Sequence, residues 1–154
     1  FGAITNIETA GLKIVEIPSA NTADFLKRLP EIISKKNGDA FMFFPGPNTT
    51  PSDLESRKRI VAQLVKEKMP AITHNMELGA NEGILAGYGA SRFDVGVDAA
   101  FMVHNILQGK PISSLPVAPS SKGLLLELNL KTARDMGLTI PQDILSRASK
   151  IYNE

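Results

Sequence analysis

The sequence contains no cysteine, so disulfides, thiolate nucleophiles and thiolate metal sites are excluded. It has only two histidines, His74 and His104, far apart along the chain. A metal site needs several donors at short spacing, so none is predicted. Neither sign of charge dominates: 17 basic residues face 16 acidic ones, for a net charge of +1. That balance makes no electrostatic case for nucleic acid or an anionic membrane as partner. No apolar run approaches the ~18 residues that a membrane span needs. The chain opens on Phe1 rather than Met and carries no signal-peptide pattern, so its natural start is expected to lie upstream.

Motifs for catalysis and cofactors are missing too. No glycine-rich phosphate loop is followed by a lysine, and Gly87-Tyr88-Gly89 lacks the third glycine of a dinucleotide fingerprint. No serine sits on a sharp strand-to-helix elbow with a base and an orienting acid. Asp39 opens a predicted strand, at the end of the sheet opposite a ligand site, while Glu77 and Glu82 read as a solvated helical face. Pro45 to Thr49 offers no acidic cluster of the phosphorylation-receiver kind. No cofactor and no catalytic residue are therefore expected, and the chain does not read as an enzyme.

What is present is a single globular domain. The 154 residues are 43% hydrophobic and 21% charged, enough to bury a core without staples. Leu12–Ile17 alternates and is rich in β-branched residues, which predicts a strand. A helix over 23–36 follows, its apolar face formed by Phe25, Leu26, Leu29, Ile32 and Ile33. Pro30 should kink it or break it in two, and Lys35 to Gly38 read as its last turn and cap. Asp39 to Phe44 reads as a buried strand. Thr50 and Pro51 resemble the cap and first residue of a second helix lined by Leu54, Val61, Leu64 and Val65. Strands are expected at 71–73, 83–86 and 124–128, with a helical turn or two over 77–82. The clearest helix spans Arg92 to Gln108, with Phe93, Val97, Ala100, Phe101, His104 and Leu107 on one face and Gly109 and Pro111 ending it. Helices over 130–136 and 141–151, parted by Gly137, close the chain.

This alternation implies an α/β fold: a Rossmann-like, three-layer lobe with a mostly parallel sheet. Ligands in such sheets bind at the carboxyl ends of the strands. That rule selects the loops after Phe44, Thr73 and Ala86. Asn48 and Thr49 offer an amide and a hydroxyl before a helix N-terminus, which suits an anion, but turn and cap chemistry explains them equally well. His74 ends a strand, where pocket lining and plain loop structure compete. Tyr88 offers a ring and a hydroxyl, against a packing role at the rim. Ser91 reads as a helix cap, and His104 as a core or lobe-interface histidine with one hydrogen bond.

Several stretches occur in an order that carries a resemblance. They are Tyr88-Gly89, Ile106-Leu107-Gln108-Gly109-Lys110-Pro111, Leu115-Pro116-Val117, Leu128-Asn129-Leu130-Lys131-Thr132-Ala133 and Met136-Gly137-Leu138-Thr139-Ile140-Pro141. Together they resemble the C-terminal part of ABC transporter substrate-binding proteins of the tryptophan/tyrosine permease-related type. The match is strong from Gly83 to Glu154 and weaker but collinear from Gly11 to Gly83. The resemblance implies the second lobe of a two-lobed, type I periplasmic-binding fold, with residues 92–109 forming a helix that belongs with the missing first lobe. It implies an extracytoplasmic protein, periplasmic or at the cell surface, that captures a small solute, an amino acid or an aromatic compound, and presents it to an ABC permease. The bound solute would touch Asn48, Thr49, His74 and Tyr88. One departure bears on the ligand: where the family often has Asp-Asn-Thr, this chain has Pro47-Asn48-Thr49, so an acidic anchor for an amino group is missing. The orphaned helix face predicts a homodimer or a swapped assembly of this chain. A ligand-sensing domain of a signalling or regulatory protein is the alternative reading of the same fold.

Overall fold

The computed structural model describes residues 11–43, 53–74, 79–115 and 123–154. In these segments five strands form one sheet in the order β1-β2-β3-β4-β5. They are β1 (Phe41–Phe43), β2 (Ala71–Thr73), β3 (Ala86–Gly89), β4 (Leu125–Asn129) and β5 (Lys150–Tyr152). β1, β2 and β3 run parallel, β4 is antiparallel to β3, and β5 is parallel to β4. The expected mostly parallel α/β sheet is therefore present, with one antiparallel junction in it.

The first helix breaks in two, as its proline predicted. α1 (Thr22–Lys27) and α2 (Leu29–Ile32) share Arg28 as the last cap of one and the first cap of the other. Pro30 sits in the first turn of α2, where the absent N–H has no intrahelical partner to lose. The helix stops at Ile32, so the run Lys35 to Gly38 is not its last turn. α3 (Leu54–Lys66) starts from Asp53, whose side chain accepts the Ser56 N–H at 2.7 Å. Thr50 and Pro51 lie outside the described residues. α3 turns Ile60, Gln63 and Leu64 inward. Leu54, expected on that face, is 49% exposed because it sits at the first turn, beyond the edge of the core.

Further departures share one origin, which is pairing that the local pattern does not encode. Leu12–Ile17 is not a strand; no segment among the described residues pairs with it, and Leu12 and Val15 are exposed. The strand expected at 83–86 begins only at Ala86, because Ala80–Glu82 closes as a 3-10 turn and Gly83 carries the chain out of it. The final helix ends at Arg147, and Lys150–Tyr152 becomes the edge strand β5. α4 (Arg92–Leu107), α5 (Leu130–Met136) and α6 (Gln142–Arg147) complete the chain, with a 3-10 turn at Ile112–Ser114.

The core lies on one side of the sheet. Phe25, Leu29, Ile32 and Ile33 from the α1–α2 segment meet Ile60 and Leu64 of α3, Ala71 of β2 and Met136 of α5. On the opposite face the register lines up Met42, Ile72 and Ala86, with Tyr88 two residues on. Met42 and Tyr88 are exposed there.

Candidate functional site

β1, β2 and β3 are parallel, so their carboxyl ends open on one edge of the sheet. The loop after β1 leads into the segment that holds Asn48 and Thr49, which lies outside the described residues. β2 ends at Thr73, and His74 follows on an exposed bend. Thr73 pairs with Gly87, so His74 and Tyr88 occupy adjacent positions on neighbouring chain segments. Parallel strands lie about 4.8 Å apart, close enough for both side chains to meet one small ligand. Tyr88 is 44% exposed, flanked by Gly87 and Gly89, whose backbones are buried. The Tyr88 side chain is therefore accessible to solvent on the face opposite to the core.

β3 leads directly into α4. Ser91 caps that helix: its hydroxyl accepts the Asp94 N–H at 3.3 Å, the role read for it from sequence. α4 runs off the sheet, and the chain then returns as β4, the antiparallel neighbour of β3. Antiparallel neighbours can be joined by a two-residue hairpin, but here the connection is a long excursion from the same edge. Among the residues of α4 only Asp94 and Asn105 are buried. Phe93, Val97, Phe101 and Leu107 are 77%, 52%, 66% and 78% exposed. His104 is exposed too, so in this chain it is not a core histidine.

The residues of the Asn129-Leu130-Lys131-Thr132 stretch hold the frame at the far end of the sheet. The Asn129 amide donates to the Ala80 carbonyl at 2.6 Å, and its oxygen accepts the Thr132 N–H at 2.8 Å as the cap of α5. The Thr132 hydroxyl donates to the Gly83 carbonyl at 2.9 Å. One short stretch therefore starts a helix and pins the turn that precedes β3. Glu82 in that turn meets Arg57 of α3 at 2.6 Å, with both side chains about one-fifth exposed. The hydrogen bond that Arg57 donates to the Glu82 carboxylate is the main reason the Arg57 pKa is raised. The solvated reading of Glu82 is thereby corrected, while Glu77 lies outside the described residues. Sequence reasoning missed both the pair and the double role of Asn129; Asn-x-x-Thr as a cap spacing was the available signal.

A groove of about 560 Å³ runs beside α3 and α5, lined by Val61, Glu82, Gly83, Asn129 and Thr132 among others. Asn129 sits where β3 begins, since Leu128 pairs with Ala86. The groove is thus away from the edge that carries His74 and Tyr88. Among the described residues no three His, Asp or Glu side chains converge as a metal site.

The fold is of the α/β class, with a mostly parallel sheet. Residues 3–152 match the family model for ABC transporter substrate binding proteins, and the chain belongs to that family. Solved structures of similar fold include the ABC domain in complex with L-Trp from Streptococcus pneumonia, at 23% identity and a TM-score of 0.73, covering 97% of this chain and 51% of that one. A conserved domain protein from Vibrio cholerae aligns at 24% identity and a TM-score of 0.70, over 96% of this chain and 47% of that one. The ligand-free, open structure of a substrate binding protein with adhesive properties from Clostridium difficile aligns at 19% identity and 0.67, over 99% and 48%. The chain thus spans about half the length of these structures. No curated protein sequence matches it.

Proposed function

We propose that this chain is the C-terminal lobe of an extracytoplasmic solute-binding protein that serves an ABC importer, and that it is not an enzyme. The observation that carries the reading is α4. This 16-residue helix leaves the sheet beside Tyr88 with its apolar residues in solvent. A helix that is apolar on most sides is normally buried. A first lobe, as large as the half of each solved structure that this chain does not cover, would take up that surface and supply the second wall of a cleft.

In that arrangement the solute lies between the lobes, against His74 and Tyr88 and the loop holding Asn48 and Thr49. Closure removes it from water, and the closed form is presented to the permease. The solute class is small and polar or aromatic: Tyr88 supplies a flat ring, and the L-Trp bound by the Streptococcus domain is a ligand of that type. Pro47 in place of the family's acidic residue weighs against recognition of a free amino group. Without the first lobe, the α4 face would drive a homodimer or swapped assembly of this chain.

The test is a thermal-shift screen of the intact protein with aromatic amino acids, their deaminated analogues and other small metabolites. Hits are then titrated by calorimetry against Tyr88→Ala, His74→Ala and Asn48→Ala. Loss of about tenfold or more in affinity, ~1.4 kcal/mol, is expected at Tyr88. Unchanged affinity in all three variants would remove the site assignment.

A further inference from the structure

We propose that Asn37 is a site of spontaneous deamidation, through which the turn between α2 and β1 ages irreversibly. Asparagine loses its side-chain amide when the backbone nitrogen of the next residue attacks its Cγ. A Cβ on that next residue obstructs the approach, so glycine permits it best. Of the nine asparagines in the chain, Asn37 alone precedes a glycine. The structure leaves this pair open to reaction. Asn37 is exposed, in a turn over residues 35–37. The Gly38 N–H makes no hydrogen bond among the described residues, so none has to break before its nitrogen attacks.

The side chain that would react also closes a helix. α2 ends at Ile32, and the last carbonyls of a helix have no partner within it. Asn37 reaches back to them: its Nδ2 donates to the Glu31 carbonyl at 2.6 Å and to the Ile32 carbonyl at 3.4 Å. These bonds restrain the rotation that ring closure needs. The folded chain therefore reacts more slowly than the same sequence in a free peptide, and each opening of the cap exposes Asn37 to loss.

The reaction needs water and no other partner. The Gly38 nitrogen bonds to Cγ, the Cγ–Nδ2 bond breaks, and the Gly38 proton leaves with the amide nitrogen as ammonia. Water then opens the resulting succinimide ring at one carbonyl or the other. One opening gives an aspartyl residue; the other gives an isoaspartyl residue, with an extra methylene in the main chain. Either product carries a carboxylate and has no side-chain N–H to offer the two carbonyls. The cap at the end of α2 is then lost, and oxygen faces oxygen where a donor stood.

The experiment incubates this chain at mildly alkaline pH and follows every asparagine by peptide mapping and mass spectrometry. Isoaspartate is detected by enzymatic methyl transfer. Asn37 should convert faster than every other asparagine, and Gly38→Ala should slow it by about tenfold. That variant should fold, because the added Cβ meets only the Ala40 carbonyl, at 3.8 Å. A free peptide of residues 33–41 should convert faster than the folded chain. Asn37→Asp, which imitates one product, should lower the melting temperature by about 2–4 °C. Conversion at Asn37 no faster than elsewhere, an unchanged rate in Gly38→Ala, a peptide no faster than the folded chain, or an unchanged melting temperature for Asn37→Asp would each overturn the proposal.

Discussion

At the residue scale, one helix ending recurs three times with different chemistry at its critical position. After α5, the N–H of Gly137 bonds to Arg134 and that of Leu138 to Ala133. After α4, Gly109 and Lys110 bond in the same pattern to Ile106 and Asn105. After α3, Lys68 and Met69 repeat it against Val65 and Leu64. All three are left-handed closures, with φ of 73° at Gly137, 86° at Gly109 and 49° at Lys68. Glycine adopts this conformation without the Cβ clash that a lysine meets. Lys68→Gly should therefore raise stability by about 0.5–1 kcal/mol, and Gly137→Ala should lower it by about 1 kcal/mol. Urea unfolding of both variants checks the pair; the same sign in both would contradict the argument. Gly83 is a harder case. It has φ of 103°, and an added Cβ would lie 2.8 Å from Val61 Cγ1. Strain and overpacking together should cost Gly83→Ala about 2–4 kcal/mol. The V61A/G83A double variant should cost less than the sum of the two single ones, because the smaller side chain relieves the clash.

At the element scale, what was legible in sequence were the features that a segment decides for itself. α4 and α5 were read from periodicity and end signals, and both stand within a residue of the expected bounds. Leu12–Ile17 and Lys150–Tyr152 were misread in opposite directions. Leu12–Ile17 has the pattern of a strand but, among the described residues, no neighbour to pair with. Lys150–Tyr152 continues the pattern of a helix but finds Glu127, Leu128 and Asn129 beside it. Strand formation depends on the partner more than on local preference. The candidate site shows the same division. The positions of His74 and Tyr88 at strand ends were legible from the strands themselves; the cap role of Asn129 was signalled by its spacing to Thr132, but its bond to Ala80 was not, because it joins segments distant in sequence. Asn129→Ala removes both a helix cap and a buried hydrogen bond, and should cost about 2–4 kcal/mol in a thermal or urea melt. The cap of α3 has a pH signature. Asp53 is held below the usual carboxylate range, first by the backbone N–H of Ser56 and then by its side chain. A lowered pKa in the folded state contributes stability that is present above the unfolded value, about 3.9, and lost as pH falls through the folded one. Asp53→Asn keeps an acceptor without the titration. The difference in melting temperature between the two proteins should therefore hold steady from neutral pH down to mild acid and shift toward the variant on further acidification. A constant difference throughout would show that Asp53 contributes nothing through its charge.

At the scale of the whole molecule, α4 is the feature that a single lobe does not explain. Its 16 residues span about 24 Å, and Val95, Val103 and Ile106 are exposed along with Phe93, Phe101 and Leu107. A helix of this composition has no reason to be apolar if water is its permanent neighbour. Exposure and burial make opposite predictions for one substitution, which separates the two states of the helix. F101K/L107K alters only solvent-facing groups in the isolated chain, so it should change stability by no more than about 0.5 kcal/mol per site. It should also lower self-association, seen as a smaller concentration dependence in light scattering. In the intact protein the same two side chains would be buried against the first lobe. Two large apolar groups replaced by charges there should cost several kcal/mol and separate the lobes. A variant that is neutral in the isolated chain and disruptive in the intact protein identifies α4 as the seam between them. If the intact protein tolerates it as well as the isolated chain does, α4 faces solvent in both and the cleft must be built from other elements.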